Sequence, residues 1–239
     1  MMTPLMVLVL AALLVVAFVG SRRSRARGVK PLKRTGAHYK RAYSRRGFLR
    51  LGAASAAAAV LAHTRVDEAV DAWHRDEVRS PATDHAADVA REGGERFWFF
   101  YWAAFAAADA WSGSSALTRW GRSSLAAMAV GLPALWTIQR VGGASRPSDP
   151  PGDSRWRPMA DDNTASGHTF MSAIPWLIAA RRAGGAPARL AAYLASLPTG
   201  WSRLNDRKHY LSQVMLGYTV AWNAVDAVDG DTGHDSGKG

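Results

Sequence analysis

The sequence predicts an all-α protein of the polytopic membrane type, and three observations support this fold class. Apolar stretches of helix length recur along the 239 residues, as expected for segments that cross or lie in a bilayer. Arginines concentrate in the short segments between alternate stretches, which is the charge pattern of cytoplasmic loops. Three polar segments, at 139–147, 161–168 and 202–209, fall on the opposite side when the stretches are threaded back and forth.

Composition excludes several kinds of chemistry. The chain has no cysteine, so it has no disulfide framework, no thiol nucleophile and no cysteine metal site. The net charge of +11 comes from residues 21–50, which hold twelve Lys or Arg and no acid, so the remainder sums to −1. A run of this kind is usually a nucleic-acid contact. Between two apolar segments it favours a cytoplasmic loop facing anionic lipid, so we expect membrane lipids and no nucleic acid as partners.

The apolar run at the N-terminus predicts a membrane anchor. Residues 4–20 are uninterruptedly apolar, and domain 1–20 is interpreted as a transmembrane anchor with its N-terminus outside, because the charges follow the apolar run. A secretory signal has its charges first. In the basic cytoplasmic segment 21–50, residues 44–50 read Ser-Arg-Arg-Gly-Phe-Leu-Arg, the form of a twin-arginine export signal. The alternative is an ordinary membrane helix with a basic flank, and both interpretations place Thr64 outside.

The remaining elements complete a membrane domain at 51–228. Residues 66–96 are predicted as short amphipathic helices at the outer surface. The predicted spans after an initial one at 47–63 are 97–111, 123–138, 169–180, 189–201 and 210–228. The tail, 229–239, is polar and Gly-rich and is predicted to be disordered. The chain is therefore expected in the cytoplasmic (inner) membrane as a multi-pass protein, with the three polar segments facing the periplasm or exterior.

A helix start within the second polar segment has the features of an anion site. Ser166, Gly167 and His168 precede an apolar helix, where free backbone N–H groups favour an anion. The serine adds a hydroxyl donor, the glycine permits close approach and the histidine transfers protons. The alternative is that Ser166 caps the helix and His168 is incidental.

Two arginines and a second histidine occupy the other polar segments. Arg203 and His209 flank one outer helix boundary, and Arg146 lies in the loop before it. A guanidinium presents a planar fork of donors that suits phosphate oxygens. For each arginine alone, interfacial snorkelling is the simpler interpretation. Two histidines and two arginines on one membrane face favour a functional site.

These segments resemble the type 2 phosphatidic acid phosphatase family, whose signatures are K-x6-R-P, P-S-G-H and S-R-x5-H-x3-D. The corresponding residues here are, in order, Gln139 with Arg146-Pro147, then Ala165-Ser166-Gly167-His168, then Ser202-Arg203 with His209 and Gln213. Order, spacing and membrane side agree, and the resemblance covers residues 66–228.

The resemblance implies a six-helix core and a phosphoryl-transfer site that uses no metal and no cofactor. His209 would attack phosphorus to form a phosphohistidine, and His168 would protonate the leaving group and then activate water. Arg146, Arg203, Ser166 and the Gly167 amide would hold the phosphate oxygens. The implied activity is hydrolysis of a lipid phosphate or prenyl pyrophosphate at the outer membrane face.

Two departures from the signatures weaken the implied machinery. Gln139 stands in place of the lysine and brings no charge, although the adjacent Arg140 could supply one. Gln213 stands in place of the aspartate that orients the nucleophile, and its carbonyl can still accept the Nδ1–H but cannot stabilise an imidazolium. A nearby acid, Asp161, Asp162 or Asp206, could assist.

The same residues are compatible with two other functions. The neutral residues at 139 and 213 suggest a non-catalytic relative that binds anionic lipid headgroups. A vanadium-dependent haloperoxidase is less favoured, since such enzymes resemble the same family but are typically soluble and keep the lysine.

Overall fold

The structure, a computed structural model, describes residues 31–112 and 115–229. Within these ranges every regular element is helical, which confirms the predicted all-α class. The α-helices are α1 Pro31–Ala42, α2 Arg45–His63, α3 Val66–Trp73, α4 Pro81–Arg91, α5 Trp98–Ser112, α6 Ala116–Gly142, α7 Gly167–Arg182, α8 Ala186–Ala195, α9 Pro198–Asn205 and α10 Leu211–Asp229. A π-helical turn, His74–Val78, follows α3, and a 3₁₀ turn, Glu92–Gly94, follows α4.

Most predicted helical stretches coincide with observed helices, and one does not. The stretch predicted at 189–201 is two helices, α8 and α9, which the chain separates at Ser196 and Leu197. Pro198 starts α9, because proline has no N–H to continue a helix and fits the first turn of a new one. The predicted polar loop before residue 123 is largely the first turns of α6, which Ser115 and Thr118 cap reciprocally.

The predicted membrane crossing is not supported by the lengths and composition of the described helices. Among residues 31–112 and 115–229, no helix of 18 or more residues is apolar enough to cross a membrane. Helices α5 and α7 have only 15 and 16 residues. Helix α10 is longer, but Asn223, Asp226 and Asp229 lie in its last turns. The predicted anchor at 1–20 and the predicted disordered tail after Asp229 lie outside the described residues.

The twin-arginine-like segment forms the start of a packed helix. Ser44 caps α2 by accepting a hydrogen bond from the Gly47 N–H, and a Cβ on Gly47 would lie 1.9 Å from the Ala42 carbonyl oxygen. Arg50 pairs with Asp226 of α10 at 2.8 Å, while Arg45 and Arg46 are exposed. The predicted boundary between the basic segment and the core, at 50/51, therefore falls inside one continuous helix.

Helix α10 is the central element, and it packs against α1, α2, α3, α6, α7 and α9. Its apolar residues join those of α6 and α7 in one core, which includes Met128, Phe170, Ile174, Val220 and Val225. Close approach needs glycine at Gly217, where a Cβ would lie 2.3 Å from the Ser166 carbonyl oxygen. The start of α7 is thereby held directly against α10.

The polar segment between 66 and 96 forms the predicted short helices and is docked on the bundle. Helix α4 packs along α9, where the Thr199 hydroxyl donates to the Ala90 carbonyl at 2.7 Å and the Asn205 amide to Asp84 at 2.7 Å. A Cβ on Gly94 would lie 2.8 Å from both the Cβ and the carbonyl oxygen of His168. The Glu92–Gly94 turn therefore lies directly against the start of α7.

Candidate active site

Hydrogen bonds join the three polar segments around His209. The Gln213 amide donates to the Ser145 carbonyl at 2.8 Å, and the Ser166 N–H donates to the Gln213 carbonyl at 2.9 Å. The His209 N–H donates to the Arg203 carbonyl at 3.1 Å. Residues up to 68 positions apart are thus held together through the first turn of α10. The convergence expected from the sequence is present within the described residues.

The side chain of Gln213 fixes the tautomer of His209. Its Oε1 is 3.1 Å from the Tyr210 N–H, which can only donate, and its Nε2 faces the Ser145 carbonyl, which can only accept. The amide orientation is therefore determined by its partners. Because Oε1 is also 2.9 Å from His209 Nδ1, Nδ1 must carry the proton. Nε2 is then the unprotonated nitrogen, and it forms no hydrogen bond with a described residue.

The surroundings of His209 keep its ring neutral. The side chain is 7% exposed, and burial is the main cause that lowers its pKa to about 4. The hydrogen bond to Gln213 raises the pKa, whereas the charges of Arg146, His168 and Arg203 lower it. His209 therefore presents a neutral imidazole with a free Nε2 at neutral pH, which is the form that attacks an electrophile.

His168 lies at the start of α7, where Ser166 is the cap. The Ser166 hydroxyl oxygen accepts from the Thr169 N–H at 3.3 Å and from the Thr169 hydroxyl at 2.9 Å, so Ser166 does cap this helix. Its own proton remains free to be donated. The Gly167 and His168 N–H groups belong to the first turn, which has no intrahelical acceptors. This helix start therefore retains the donors that an anion requires.

Arg203 is almost buried and is held in place by acidic and hydroxyl groups. It is 6% exposed, its Nη2 pairs with Asp206 at 2.6 Å and its Nε donates to the Ser202 hydroxyl at 3.2 Å. Burial lowers its pKa and Asp206 raises it, and a guanidinium stays charged at physiological pH. Asp206 thus orients Arg203 and forms no hydrogen bond with His209 in the described structure.

Arg146 is oriented from the loop before α7. Its Nε donates to Asn163 Oδ1 at 2.9 Å, and the Asn163 amide donates to Asp161 at 2.7 Å. Asp161 therefore acts on Arg146 through Asn163 and forms no described contact with His209. This arrangement leaves the terminal nitrogens of Arg146 available for an anion.

The two predicted ligands at the end of α6 have different surroundings. Gln139 donates to the Ala165 carbonyl at 2.8 Å, and its Nε2 is 3.9 Å from where a Cβ on Gly167 would lie. It therefore braces the loop that carries Ser166. Arg140 instead pairs with Asp162, earlier in the same loop, at 3.5 Å, both side chains being more than half exposed. The structure does not bring Arg140 to the histidines.

Sequence comparison with the signatures missed the residues that border His168. Glu95 Oε1 lies 3.5 Å from His168 Nε2, and Arg96 follows it. Burial lowers the pKa of His168 most, Arg203 and Arg96 lower it further, and Glu95 raises it. The signal in the sequence was Gly93-Gly94, which permits the close approach of this turn to α7.

Within the described ranges, no group of three or more His, Asp or Glu side chains could hold a metal ion. Comparison of the chain with family models, with curated proteins and with solved structures gave no match.

Proposed function

We propose that this chain is a phosphatase that hydrolyses a lipid phosphate or lipid diphosphate through a phosphohistidine on His209. The observation that carries the proposal is the pair His209 and His168 beside Arg146 and Arg203. One histidine is neutral with a free nitrogen, and the other stands at a helix start bordered by an acid. Two histidines of unequal environment beside two guanidinium groups suit nucleophile, acid and anion binding in one site.

In the first step, His209 Nε2 attacks phosphorus and the bond from phosphorus to the leaving oxygen breaks. Arg146, Arg203 and the donors at the start of α7 hold the phosphate oxygens, whose charge they stabilise in the transition state. His168 supplies a proton to the departing oxygen. The ring that remains is cationic. It carries the phosphoryl group on Nε2 and keeps its proton on Nδ1, from which Gln213 Oε1 accepts a hydrogen bond.

In the second step, a water molecule attacks the phosphorus of the phosphohistidine and gives its proton to His168. Phosphate leaves and His209 returns to its neutral form. The neutral Gln213 stabilises the cationic intermediate less than a carboxylate would. We therefore expect formation of the intermediate to be slower than it would be with a carboxylate at position 213.

The lipid part of the proposal is supported by exposed aromatic residues beside the site. Phe99 and Phe100 follow Glu95 by four and five residues and are 37% and 66% exposed, within one to two turns of the partner of His168. An acyl or prenyl chain attached to a bound phosphate would find an apolar surface there. Attachment to the cytoplasmic membrane, with the site facing outward, is proposed from the apolar run at 4–20 and the basic residues that follow it.

The test is phosphate release from phosphatidic acid and from a prenyl diphosphate by purified full-length protein, compared with His209→Ala. We expect wild type to release phosphate in the presence of EDTA, and the variant to lose at least about 10³-fold in rate. Rapid quench with ³²P-labelled substrate should trap label on wild type only. Full activity in His209→Ala would overturn the mechanism, and inhibition by EDTA would contradict a metal-free site.

A second candidate, a lipid-phosphate-binding protein without turnover, is favoured by the neutral Gln213 at the nucleophile. The same experiment separates the two functions. Saturable binding of phosphatidic acid vesicles with neither phosphate release nor trapped label would support the binding protein.

A further inference from the structure

Arg96 differs in its surroundings from the buried and paired Arg203. It is exposed and forms no ion pair with another described residue, whereas Arg203 is paired with Asp206 at 2.6 Å. It follows Glu95, whose carboxylate is 3.5 Å from His168 Nε2. The turn before it is pressed against His168, since a Cβ on Gly94 would lie 2.8 Å from the His168 Cβ. Arg96 is therefore placed by the fold beside the proton donor.

The charges around the two histidines place Arg96 on the leaving-group side. Arg146 lowers the pKa of His209, Arg96 lowers that of His168, and Arg203 lowers both. Glu95, the neighbour of Arg96, lies 3.5 Å from His168, whereas Ser145, the neighbour of Arg146, accepts from the Gln213 amide that holds His209. Arg96 therefore lies at the His168 end of the site and Arg146 at the His209 end. Because nucleophile and leaving group are in line at phosphorus, a cation beyond His168 faces the group that departs.

The chemistry of the leaving group decides whether Arg96 has anything to bind. A simple phosphate ester releases an alcohol, which carries no anionic oxygen once protonated and depends fully on the acid. A diphosphate ester releases a lipid monophosphate, whose oxygens are anionic and which departs with little help from a proton. The charged and titratable groups that face His168 are Arg203, His209, Glu95 and Arg96, and together with burial they disfavour the imidazolium that an alkoxide would need.

Resting on the proposed function, we propose that the site prefers a lipid diphosphate ester, with Arg96 binding the phosphate that stays on the lipid. His209 Nε2 bonds to the terminal phosphorus, and the bond from that phosphorus to the bridging oxygen breaks. The electron pair stays on the bridging oxygen, now part of the lipid monophosphate. Water then cleaves the phosphohistidine, so one water is consumed and one phosphate is released. The exposed Phe99 and Phe100 lie next along the chain to receive the tail.

The test compares kcat/KM for farnesyl diphosphate and farnesyl monophosphate, in wild type and in Arg96→Gln. We expect wild type to prefer the diphosphate and to accumulate the monophosphate. Arg96→Gln should lose about tenfold or more on the diphosphate, since a charge-assisted hydrogen bond is removed, and less than about threefold on the monophosphate. The matched control is Arg155→Gln, an exposed arginine of the α6–α7 connection that forms no described hydrogen bond or ion pair with the site residues.

The outcomes separate the two proposals. Equal or better use of the monophosphate by wild type, or an equal loss on both substrates in Arg96→Gln, would overturn the diphosphate preference alone. Phosphate release from neither lipid, with no label trapped on His209, would overturn the proposed function together with this inference. Because Arg96 is exposed, an unchanged thermal unfolding temperature in the variant is expected and should be measured alongside.

Discussion

The two halves of the site differ in how much of their geometry is built into the helical core. The half around His209 is buried, with His209 7% exposed and its Nδ1 held at 2.9 Å by Gln213 in the first turn of α10. The half around His168 is open, with a side chain 34% exposed and a carboxylate at 3.5 Å supplied by a docked turn. In the proposed mechanism, the buried half determines which atom attacks, and the open half determines what leaves.

This difference follows from the structural elements that supply the residues of each half. His209, Gln213 and Arg203 lie on or beside α9 and α10, whose positions the core packing fixes. Glu95 and Arg96 follow a 3₁₀ turn held by glycine contacts and by hydrogen bonds such as that from Thr199 to Ala90. Substitutions in the buried half should therefore affect the chemical steps and stability together. Substitutions in the open half should alter pH dependence and substrate preference.

The largest expected effect in this comparison is that of Gln213→Leu. Removing the amide leaves the Tyr210 N–H and the Ser145 carbonyl without partners and frees His209 to adopt the wrong tautomer. We expect kcat to fall roughly 10²–10⁴-fold, and the free energy of unfolding to fall by about 1–3 kcal/mol for each buried group left unpaired. Steady-state kinetics and denaturant unfolding measure the two losses.

The control for this substitution is Gln213→Glu, which keeps an acceptor for Nδ1 and adds a charge. The carboxylate favours the imidazolium, so the acidic limb of the pH–rate profile should move above the pKa of about 4 that His209 has with Gln213. An unchanged kcat in the leucine variant would show that the tautomer of His209 is not set by this contact.

An intermediate effect is expected from Gly94→Ala, which tests whether the docked turn positions His168. The added Cβ would lie 2.8–2.9 Å from three atoms of His168, so the turn must move. We expect a loss of about 1–3 kcal/mol in stability and a lower kcat, measured by thermal unfolding and phosphate release. Gly52→Ala is the matched control, since its Cβ would meet nothing within 4 Å in α2 and a helical alanine is stabilising. Equal stability of the two variants would contradict the close packing.

The smallest expected effect is that of Glu95→Gln, which changes the pH dependence alone. Glu95 raises the pKa of His168 against burial, Arg203 and Arg96, so its loss should lower that pKa further. A general acid acts while protonated, so the alkaline limb on an alkyl monophosphate lies below 6.5 in wild type and should move to lower pH in the variant. Activity at pH values above the limb should fall several-fold, and activity below the limb should change less. Glu92→Gln, whose carboxylate faces Arg91 instead, should leave the limb in place.

Much of the fold could be read from the chain because local signals are strong. The predicted stretches at 97–111, 169–180 and 210–228 fall within a residue or two of α5, α7 and α10, since apolar runs and flanking polar residues mark helices locally. The division of 189–201 at Pro198 was missed although its cause is local. The membrane-spanning character of the described helices was not supported, because recurrence of apolar runs does not ensure both sufficient length and sufficient hydropathy in each.

The sequence by itself determined the helical class, the approximate helices and the spacing of His168, Arg203 and His209, because helix periodicity and motif spacing are properties of neighbouring residues. Only the tertiary structure decided that Gln213 links His209 to Ser145, that Arg140 faces Asp162 and not the histidines, and that Glu95 and Arg96 border His168. Each of these contacts joins side chains whose partners are chosen by helix packing. No local pattern specifies such a partner, since it depends on which helix faces which across the core.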